Sequence, residues 1–321
     1  MSSSSSGKDG SCRVAFVGAG GMTVEHAKAF ADVPGVTLVG LHSRTRAKAE
    51  QTAAARSIPL VTSSVAELYE KTRADLVVVS VPELSAREVA LACFEFPWTV
   101  LLEKPAGYNL AQAEEIAAAA RSRGRRAFVG LNRRFLSSTQ GALADLAHRP
   151  GPRFIQVADQ QSLALARQIG HPEEVVKNWM YANSIHLVDY LPALGRGKIQ
   201  RVQQVVPWRD GTSPVVVASV EFDSGDIGIY SAIWNGPGPW MATVSTPERR
   251  WEFRPLEAAV YQNAGERALH QFQADPRDAA FKPGFRLQAE HVVNAVLNKP
   301  SNACTIDDAL VTMRLIAEIY R

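Results

Sequence analysis

Short apolar runs alternate with alanine-rich helical segments from Arg13 to Leu131, and no other feature constrains the fold of this chain as strongly. The apolar runs are continuous, as in strands buried on both faces, so the pattern predicts β-α-β units around a parallel sheet. The predicted strands are residues 14–17, 36–41, 76–81, 99–102 and 127–131, and the predicted helices are residues 23–31, 46–56, 65–71, 85–94 and 110–123. A doubly wound α/β domain is therefore expected.

After Arg134 the pattern changes, because strand-like runs now follow one another with turn residues between them. Turn signals such as residues 223–226 and 236–239 separate these runs, so an open, mostly antiparallel sheet is expected. The predicted strands are residues 154–159, 202–206, 215–222, 227–233, 241–246 and 250–253. One helix at 137–147 precedes them, and two amphipathic helices at about 285–297 and 306–320 close the chain.

The first predicted strand leads directly into the sequence GAGGMT at residues 18–23 and then into a helix. In a dinucleotide site, the first glycine allows a tight turn, the second lets the backbone approach a pyrophosphate, and amides at the helix N-terminus bind its charge. Thr23 stands where the fingerprint has a third glycine, and an ordinary β-α turn is the alternative interpretation. In its context, the motif predicts dinucleotide binding by Gly18, Gly20, Gly21 and Met22.

The end of the second strand bears on which dinucleotide is bound. An Asp or Glu about 20 residues after the glycines grips the ribose 2′-hydroxyl in NAD sites. This chain has Ser43, Arg44 and Thr45 instead. Hydroxyls and a guanidinium suit a 2′-phosphate, so NADP(H) is expected in preference to NAD(H). Stacking of Arg44 on adenine, or capping of the next helix, is the alternative.

Composition excludes several other classes of protein. A net charge of +3, without a basic stripe and interleaved aromatic residues, argues against nucleic-acid binding. No apolar run approaches the ~20 residues of a membrane span, and the serine-rich start lacks the features of a secretory signal. The three cysteines are widely spaced and fit no disulfide framework, and no repeated spacing of His, Cys or acidic residues predicts a metal. A cytoplasmic enzyme without a membrane or nucleic-acid partner is expected.

The fourth long strand ends in Glu103-Lys104-Pro105, at the edge of the sheet where doubly wound proteins bind ligands. A lysine fixed there next to a proline can project into the cleft, where burial and nearby positive charge lower its pKa. Such a lysine can exchange a proton with a hydroxyl or carbonyl group. In isolation, this tripeptide is more often a simple turn.

Together, the glycine turn, the Lys104 turn and the segment NSIHLVD at 183–189 resemble the glucose-fructose oxidoreductase and inositol dehydrogenase family. The resemblance extends over nearly the whole chain and includes FVGLNRRF at 128–135, which is similar to the crossover into the second domain of that family. It implies Lys104 as the acid-base residue and His186 as the group that hydrogen-bonds the reacting oxygen. It also implies that Pro82 and Glu103 contact the cofactor.

Two departures from the family pattern affect the expected substrate site. Many family dehydrogenases have an Asp four residues before the histidine, where this chain has Ala182. The P-N-x-x-H pattern becomes PELSA at 82–86. Taken alone, His186 on an apolar helical segment fits a core or interface histidine slightly better than a catalytic one, and the resemblance reverses this preference. The predicted substrate-binding residues are Arg134, Trp179, Asn183 and Asp189. Interface contact or packing is the alternative for Arg134 and Trp179, and Asp189 could instead orient the His186 imidazole or cap neighbouring backbone.

The length of 321 residues fits two domains, predicted as 13–132 for dinucleotide binding and 133–321 for substrate binding and oligomerisation. Residues 1–12 are expected to form a flexible tail, and the last helix could pack back on the first domain. The resemblance implies an NAD(P)-dependent oxidoreductase acting on an alcohol or ketone of a sugar, cyclitol or related molecule, assembled as a homodimer or homotetramer. A nucleotide-sensing regulator and an NAD-dependent glycosidase are the alternatives.

Overall fold

The computed structural model describes residues 10–209 and 212–321, which divide into two compact units. The first unit comprises the described residues up to Asn132 together with Ala279–Ala309, and the second comprises Arg133–Asp278 together with Leu310–Arg321. Residues 1–9 of the predicted tail lie outside the described residues. The predicted end of the tail at residue 12 is wrong, because Cys12 is already the first residue of a buried strand.

The first unit has a six-stranded parallel sheet with the strand order β3-β2-β1-β4-β5-β6. Its strands are β1 Cys12–Val17, β2 Val36–His42, β3 Val61–Thr62, β4 Leu76–Val79, β5 Thr99–Leu102 and β6 Ala127–Val129. Its helices are α1 Gly21–Ala31, α2 Arg46–Ala55, α3 Val65–Thr72, α4 Glu83–Phe94 and α5 Leu110–Ser122. This confirms the doubly wound class, and the strand order reverses between β1 and β4, where such sheets open a crevice.

The continuous apolar strands of the sequence are the central strands of this sheet. Every residue of β4 and β5 is buried, because helices cover both faces. Side-chain caps begin two of the helices: Ser64 accepts a hydrogen bond from the Glu67 amide before α3, and Asn109 accepts one from the Gln112 amide before α5. The short edge strand β3 was not predicted, since two residues carry no periodicity.

The second unit has an eight-stranded sheet with the order β14-β13-β12-β11-β7-β10-β9-β8. Its strands are β7 Phe154–Gln161, β8 Ile199–Val206, β9 Val215–Phe222, β10 Ile227–Trp234, β11 Met241–Ser245, β12 Arg249–Phe253, β13 Ala259–Asn263 and β14 His270–Gln271. Only the pair of β7 and β10 is parallel in this sheet, so the mostly antiparallel class is confirmed. Alternate residues of β9 and β10 are buried, which leaves one face of those strands partly exposed.

The helical part of the second unit is more broken than its sequence suggests. After α6 Ser137–Leu146, four short α-helices follow β7, and a five-residue π-helix at Met180–Ser184 separates the second from the third. The α-helices are α7 Leu163–Gln168, α8 Glu173–Lys177, α9 Ile185–Val188 and α10 Tyr190–Leu194, with α11 Arg277–Ala280 later in the chain. Pro172 begins α8, because proline favours the start of a helix over its interior.

The closing helices correct the predicted domain boundary. Residues 279–309, which include α12 Phe285–Val296, group with the first unit and not with the second domain predicted as 133–321. The apolar face of α12 explains this, because Ala289, Val292 and Val293 are buried in the core that also contains α1. The last helix, α13 Ile306–Tyr320, belongs to the first unit only up to Ala309. No helix in the described part of the chain is long and apolar enough to cross a bilayer.

Candidate active site

A cavity of about 550 Å³ lies in the first unit at the carboxyl ends of β1, β2, β4 and β5. This volume falls within the usual range for small-molecule and cofactor sites. The structure brings all ten predicted cofactor residues to its wall: Gly18, Gly20, Gly21, Met22, Ser43, Arg44, Thr45, Pro82, Glu103 and Lys104. It also adds residues that were not predicted, among them His42, Lys48 and Ser80. The cavity lies at the switch point of the sheet.

Gly18 makes the tight turn after β1. Its φ is +115°, and a Cβ at this position would lie 2.1 Å from the carbonyl oxygen of Ser80. Only glycine allows the two strand ends to approach so closely. Thr23, in place of the third glycine of the fingerprint, is buried and hydrogen-bonds the Ser80 hydroxyl across 2.6 Å. Thr23, at the position where the motif departs from the fingerprint, therefore still packs α1 against the sheet.

Gly20 and Gly21 leave the N-terminus of α1 open to the cavity. A Cβ on either glycine would meet no other group within 4 Å, so it would occupy space on the ligand side. Gly20 is the N-cap, no side chain caps the helix, and no acidic residue lies in its first turn. Amides of this kind bind phosphate, since the helix dipole and their unused donors both favour an anion. The residues present therefore fit a dinucleotide.

Two cations lie at the end of the cavity formed by β2 and the start of α2. Arg44 and Lys48 are exposed and line the wall together with Ser43 and Thr45. Arg46, between them in the sequence, turns away from this group and pairs with Glu50 at 2.8 Å. Lys48 was not predicted because it lies within α2, beyond the strand end that carries the usual recognition residue, although a cation four residues after Arg44 in a helical segment is a detectable signal.

Glu103 and Lys104 lie where β5 ends. The buried imidazole of His26 donates from Nε2 to Glu103 Oε1 across 2.6 Å, and the Lys104 backbone amide donates to Glu103 Oε2 across 3.1 Å. Burial opposes ionisation of Glu103, but the hydrogen bond from His26 and the positive charges nearby outweigh it and lower the pKa of this carboxyl group. Glu103 is therefore an anion beside the half-buried Lys104.

In the second unit, His186 lies on α9 directly after the π-helix. It is half-buried, and its ring centroid is 6.2 Å from that of Trp240. Asn183, three residues earlier, donates from Nδ2 to Gln161 Oε1 across 2.8 Å. Residues three apart on a helical segment share a face. His186 and Asn183 therefore lie near one another at the end of β7, where Gln161 is the last residue.

The predicted substrate role of Asp189 requires correction, whereas that of Arg134 stays a prediction. Asp189 is buried, and its two carboxylate oxygens accept from Arg134 Nε and Nη2 across 2.8 and 2.7 Å. The Thr312 hydroxyl donates a further hydrogen bond of 2.7 Å to the same carboxylate. Asp189 is thus a buried ion-pair partner and not a substrate ligand, and Arg134 uses two guanidinium nitrogens in this pair. The position of Asp189 three residues after His186 gave no indication that its partner is Arg134, which precedes Asp189 by 55 residues.

Trp179 and Ala182 are both packing residues in this unit. Trp179 is only 8% exposed and contacts the His171 ring edge to face at 4.8 Å, which favours the packing alternative over its predicted place on a substrate surface. Ala182 is buried as well. A buried carboxyl group does exist nearby, at Asp159 on β7, where Tyr230 and Gln161 donate to it across 2.7 Å each. Burial outweighs these hydrogen bonds and raises the pKa of Asp159.

Comparison with known proteins agrees with the geometry of the cavity. Residues 12–131 match the model of the oxidoreductase family with an NAD-binding Rossmann fold. The nucleotide-binding domain of this chain, residues 12–131, therefore belongs to the Gfo/Idh/MocA-type oxidoreductase family. These matches show an NAD-binding oxidoreductase of the dehydrogenase or reductase type, and the family predicted from the sequence is confirmed for the nucleotide-binding domain.

The chain is similar in sequence to a curated dehydrogenase and in fold to solved oxidoreductase structures. The 4-carboxy-2-hydroxymuconate-6-semialdehyde dehydrogenase of Sphingobium sp. is 26% identical over 71% of this chain and 73% of its own length. The dehydrogenase of Chromobacterium violaceum is 20% identical with a TM-score of 0.81, and the two chains are covered to 96% and 94%. The aldose-aldose oxidoreductase of Caulobacter crescentus is 18% identical with a TM-score of 0.80, and each chain is covered to 97%.

Proposed function

We propose that this chain is an NADP(H)-dependent oxidoreductase that moves a hydride between the nicotinamide and an alcohol or ketone carbon of a sugar, cyclitol or related small polar molecule. The observation that carries the proposal is the single cavity that holds the open helix N-terminus, the Arg44 and Lys48 cations and Lys104. A curated relative named for a semialdehyde and a structural neighbour named for aldoses support small polar substrates of this kind.

The preference for NADP(H) rests on the charge at the end of β2. Among the residues that line the cavity there, Ser43, Arg44, Thr45 and Lys48 offer hydroxyls and two cations, and none of these four is acidic. A ribose 2′-phosphate gains charge-assisted hydrogen bonds in such a place, whereas a 2′-hydroxyl lacks its usual carboxylate acceptor. The amides near Gly20 would hold the pyrophosphate of either dinucleotide.

When bound, the dinucleotide supplies or accepts the hydride at nicotinamide C4. The Lys104 side chain moves the accompanying proton at its Nζ atom. In the oxidation direction, the hydroxyl O–H bond breaks and its proton passes to the Lys104 amine while the carbon loses its hydride, which leaves a ketone and an ammonium group. In the reduction direction the ammonium returns the proton to oxygen, so charge and atoms balance.

His186 is proposed as the second group at the reacting oxygen, and this role rests on the family resemblance. Its half-buried imidazole can donate a hydrogen bond that polarises a carbonyl oxygen. Asn183, on the same helical face, can orient a substrate hydroxyl through its amide oxygen, since its Nδ2 is engaged by Gln161.

The test combines cofactor binding with turnover. NADH and NADPH are titrated by nicotinamide fluorescence, and polyols and keto-sugars are screened with the preferred cofactor. Lys104→Met should retain NADPH binding while turnover falls by about 10³-fold, as expected when a general acid-base group is lost. Unchanged turnover contradicts the role of Lys104. Binding without any turnover favours a nucleotide-sensing protein, and release of a sugar without net change in absorbance favours a glycosidase.

A homo-oligomer is proposed through the outer face of the eight-stranded sheet. Ile227 and Val215 are exposed there, and Val217, Ile229 and Ile233 are only partly covered within the chain. Apolar side chains in adjacent strands suit association of this face with a second copy. Light scattering should give a dimer or tetramer for the wild type, and Ile229→Lys should shift it toward the monomer. A monomeric wild type contradicts this proposal.

A further inference from the structure

His26 lies outside the wall of the cofactor cavity, yet it is joined to the Lys104 turn. It projects from α1, is 1% exposed, and donates from Nε2 to Glu103 Oε1 across 2.6 Å. The other carboxylate oxygen accepts from the Lys104 backbone amide across 3.1 Å. Both oxygens of Glu103 are therefore engaged, one by a neighbouring helix and one by the turn that carries Lys104.

Aromatic side chains pack against the His26 imidazole and hold it in place. Phe285 of α12 lies 4.6 Å from His26 between ring centroids, and Phe30 of α1 lies 6.3 Å away. Such rings restrict the orientation of a buried side chain without offering it an alternative polar partner. The segment that returns to the first unit late in the chain thus fixes the donor that reaches Glu103.

A carboxylate next in sequence to a reactive lysine presents an electrostatic problem. If the carboxylate is free to turn, it pairs with the ammonium, draws it from the substrate and stabilises its charged form. His26 and Lys104 are charged or titratable groups that act on the Glu103 carboxylate. Glu83 at the start of α4 lines the cavity together with Glu103 and Lys104, and the amide of Gln288 on α12 lies beside the turn, next to Gly130.

We propose that His26 is a positioning residue that holds the Glu103 carboxylate in place and so keeps it from capturing the Lys104 ammonium group. The inference rests on the proposed function of Lys104 as the proton-transfer group. His26 touches neither cofactor nor substrate in this scheme. The Glu103 carboxylate supplies a fixed negative charge that sets the proton affinity of Lys104. His26 fixes the distance between this carboxylate and the Lys104 amine.

The test measures the titration of Lys104 directly and needs no substrate. The protein is labelled with ¹³C at lysine Cε, the Lys104 resonance is assigned by its loss in Lys104→Arg, and its shift is followed against pH. His26→Ala should raise the proton affinity of the Lys104 amine about tenfold, because the released carboxylate turns toward it. His26→Gln, which keeps a donor, should stay within about threefold of the wild type. Glu103→Gln should lower the proton affinity, because it removes the anion.

The opposite directions expected for His26→Ala and Glu103→Gln separate positioning from general loss of structure. His148→Ala, at an exposed histidine of the second unit, serves as the control and should leave the Lys104 titration unchanged. An unchanged Lys104 titration in folded His26→Ala overturns the proposal. If His26→Ala does not fold, Glu103→Gln decides alone, and absence of a decrease in Lys104 proton affinity overturns it.

Kinetic measurements distinguish failure of this inference from failure of the proposed function. With an accepted alcohol substrate in the oxidation direction, where the neutral Lys104 amine is the base, His26→Ala should lower kcat about tenfold at neutral pH and restore it in part at higher pH. The NADPH dissociation constant should be unchanged. If Lys104→Met retains full turnover, the proposed function fails. If Lys104→Met is inactive while His26→Ala keeps the wild-type pH profile, only the positioning role fails.

Discussion

In the first unit, backbone geometry creates the cofactor cavity, whereas in the second unit the polar side chains near His186 are largely satisfied by one another. Gly18, Gly20 and the strand ends leave open space and unused amides. Asp189 is instead closed by Arg134 and Thr312. A binding site built from backbone amides and open space can be inferred from a local sequence motif. A site built from polar side chains can be inferred only if the distant residues that hydrogen-bond those side chains are known.

The largest expected effect tests the claim that backbone geometry makes the cavity. Gly18→Ala should lower the free energy of unfolding by about 3 kcal/mol or more, because it places a Cβ 2.1 Å from the Ser80 carbonyl oxygen at a φ of +115°. Gly20→Ala is the matched change, since its Cβ meets nothing within 4 Å. It should alter stability by less than about 0.5 kcal/mol and weaken dinucleotide binding. Urea unfolding and nicotinamide fluorescence measure both, and equal stability of the two variants contradicts the comparison.

The second expected effect tests whether the polar groups of the second unit are structural. Asp189→Asn should cost about 3 kcal/mol of unfolding free energy, because it removes a buried anion that is paired with the half-buried Arg134 guanidinium. Glu173→Gln, in the exposed pair with Arg167, is the control and should cost less than about 1 kcal/mol. If Asp189→Asn is as stable as the wild type and raises only the KM for substrate, Asp189 is a substrate ligand after all.

The parts of the fold that could be predicted are those in which local sequence determines burial. The continuous runs of β4 and β5 indicated central parallel strands. The GAGGMT turn, the end of β2, the Lys104 turn and the family resemblance together predicted ten residues that line one cavity. The return of Ala279–Ala309 to the first unit had no local signal, because an amphipathic helix shows that it has a partner and not which one. His26 and Glu103 are likewise 77 residues apart and pair only in the folded sheet.

A third measurement sharpens the comparison within the cavity, where exposed cations should act on the ligand alone. Arg44→Ala and Lys48→Ala should each weaken NADPH binding about tenfold, or about 1.4 kcal/mol, and change NADH binding less than about twofold. Arg46→Ala is the control, because this guanidinium is paired with Glu50 and does not line the cavity. Equal loss of NADH and NADPH affinity would place these cations at the shared pyrophosphate, and the 2′-phosphate assignment would be wrong.

The smallest expected effect contrasts the buried acids of the two units. The lowered pKa of Glu103 means that its ionisation stabilises the fold above the unfolded value near 4.5, and that this contribution is lost as the pH falls through the lower folded-state pKa. The raised pKa of Asp159 gives the opposite pH dependence of stability. The folded state holds the proton more tightly, so stability is lost as the pH rises from the unfolded value near 3.8 through the raised folded-state pKa.

Substitution by the neutral amide should therefore tilt the pH dependence of stability in opposite directions. Relative to the wild type, Glu103→Gln should become less stable as the pH rises from about 3 to 6, and Asp159→Asn should become more stable over the same interval. Urea unfolding at several pH values gives the slope of stability against pH for each variant. A destabilisation that is the same at every pH does not change this slope. Slopes of the same sign would contradict this prediction. They would mean that the pairing of Glu103 with a histidine and the hydrogen bonds of Asp159 from a hydroxyl and an amide shift the two pKa values in the same direction.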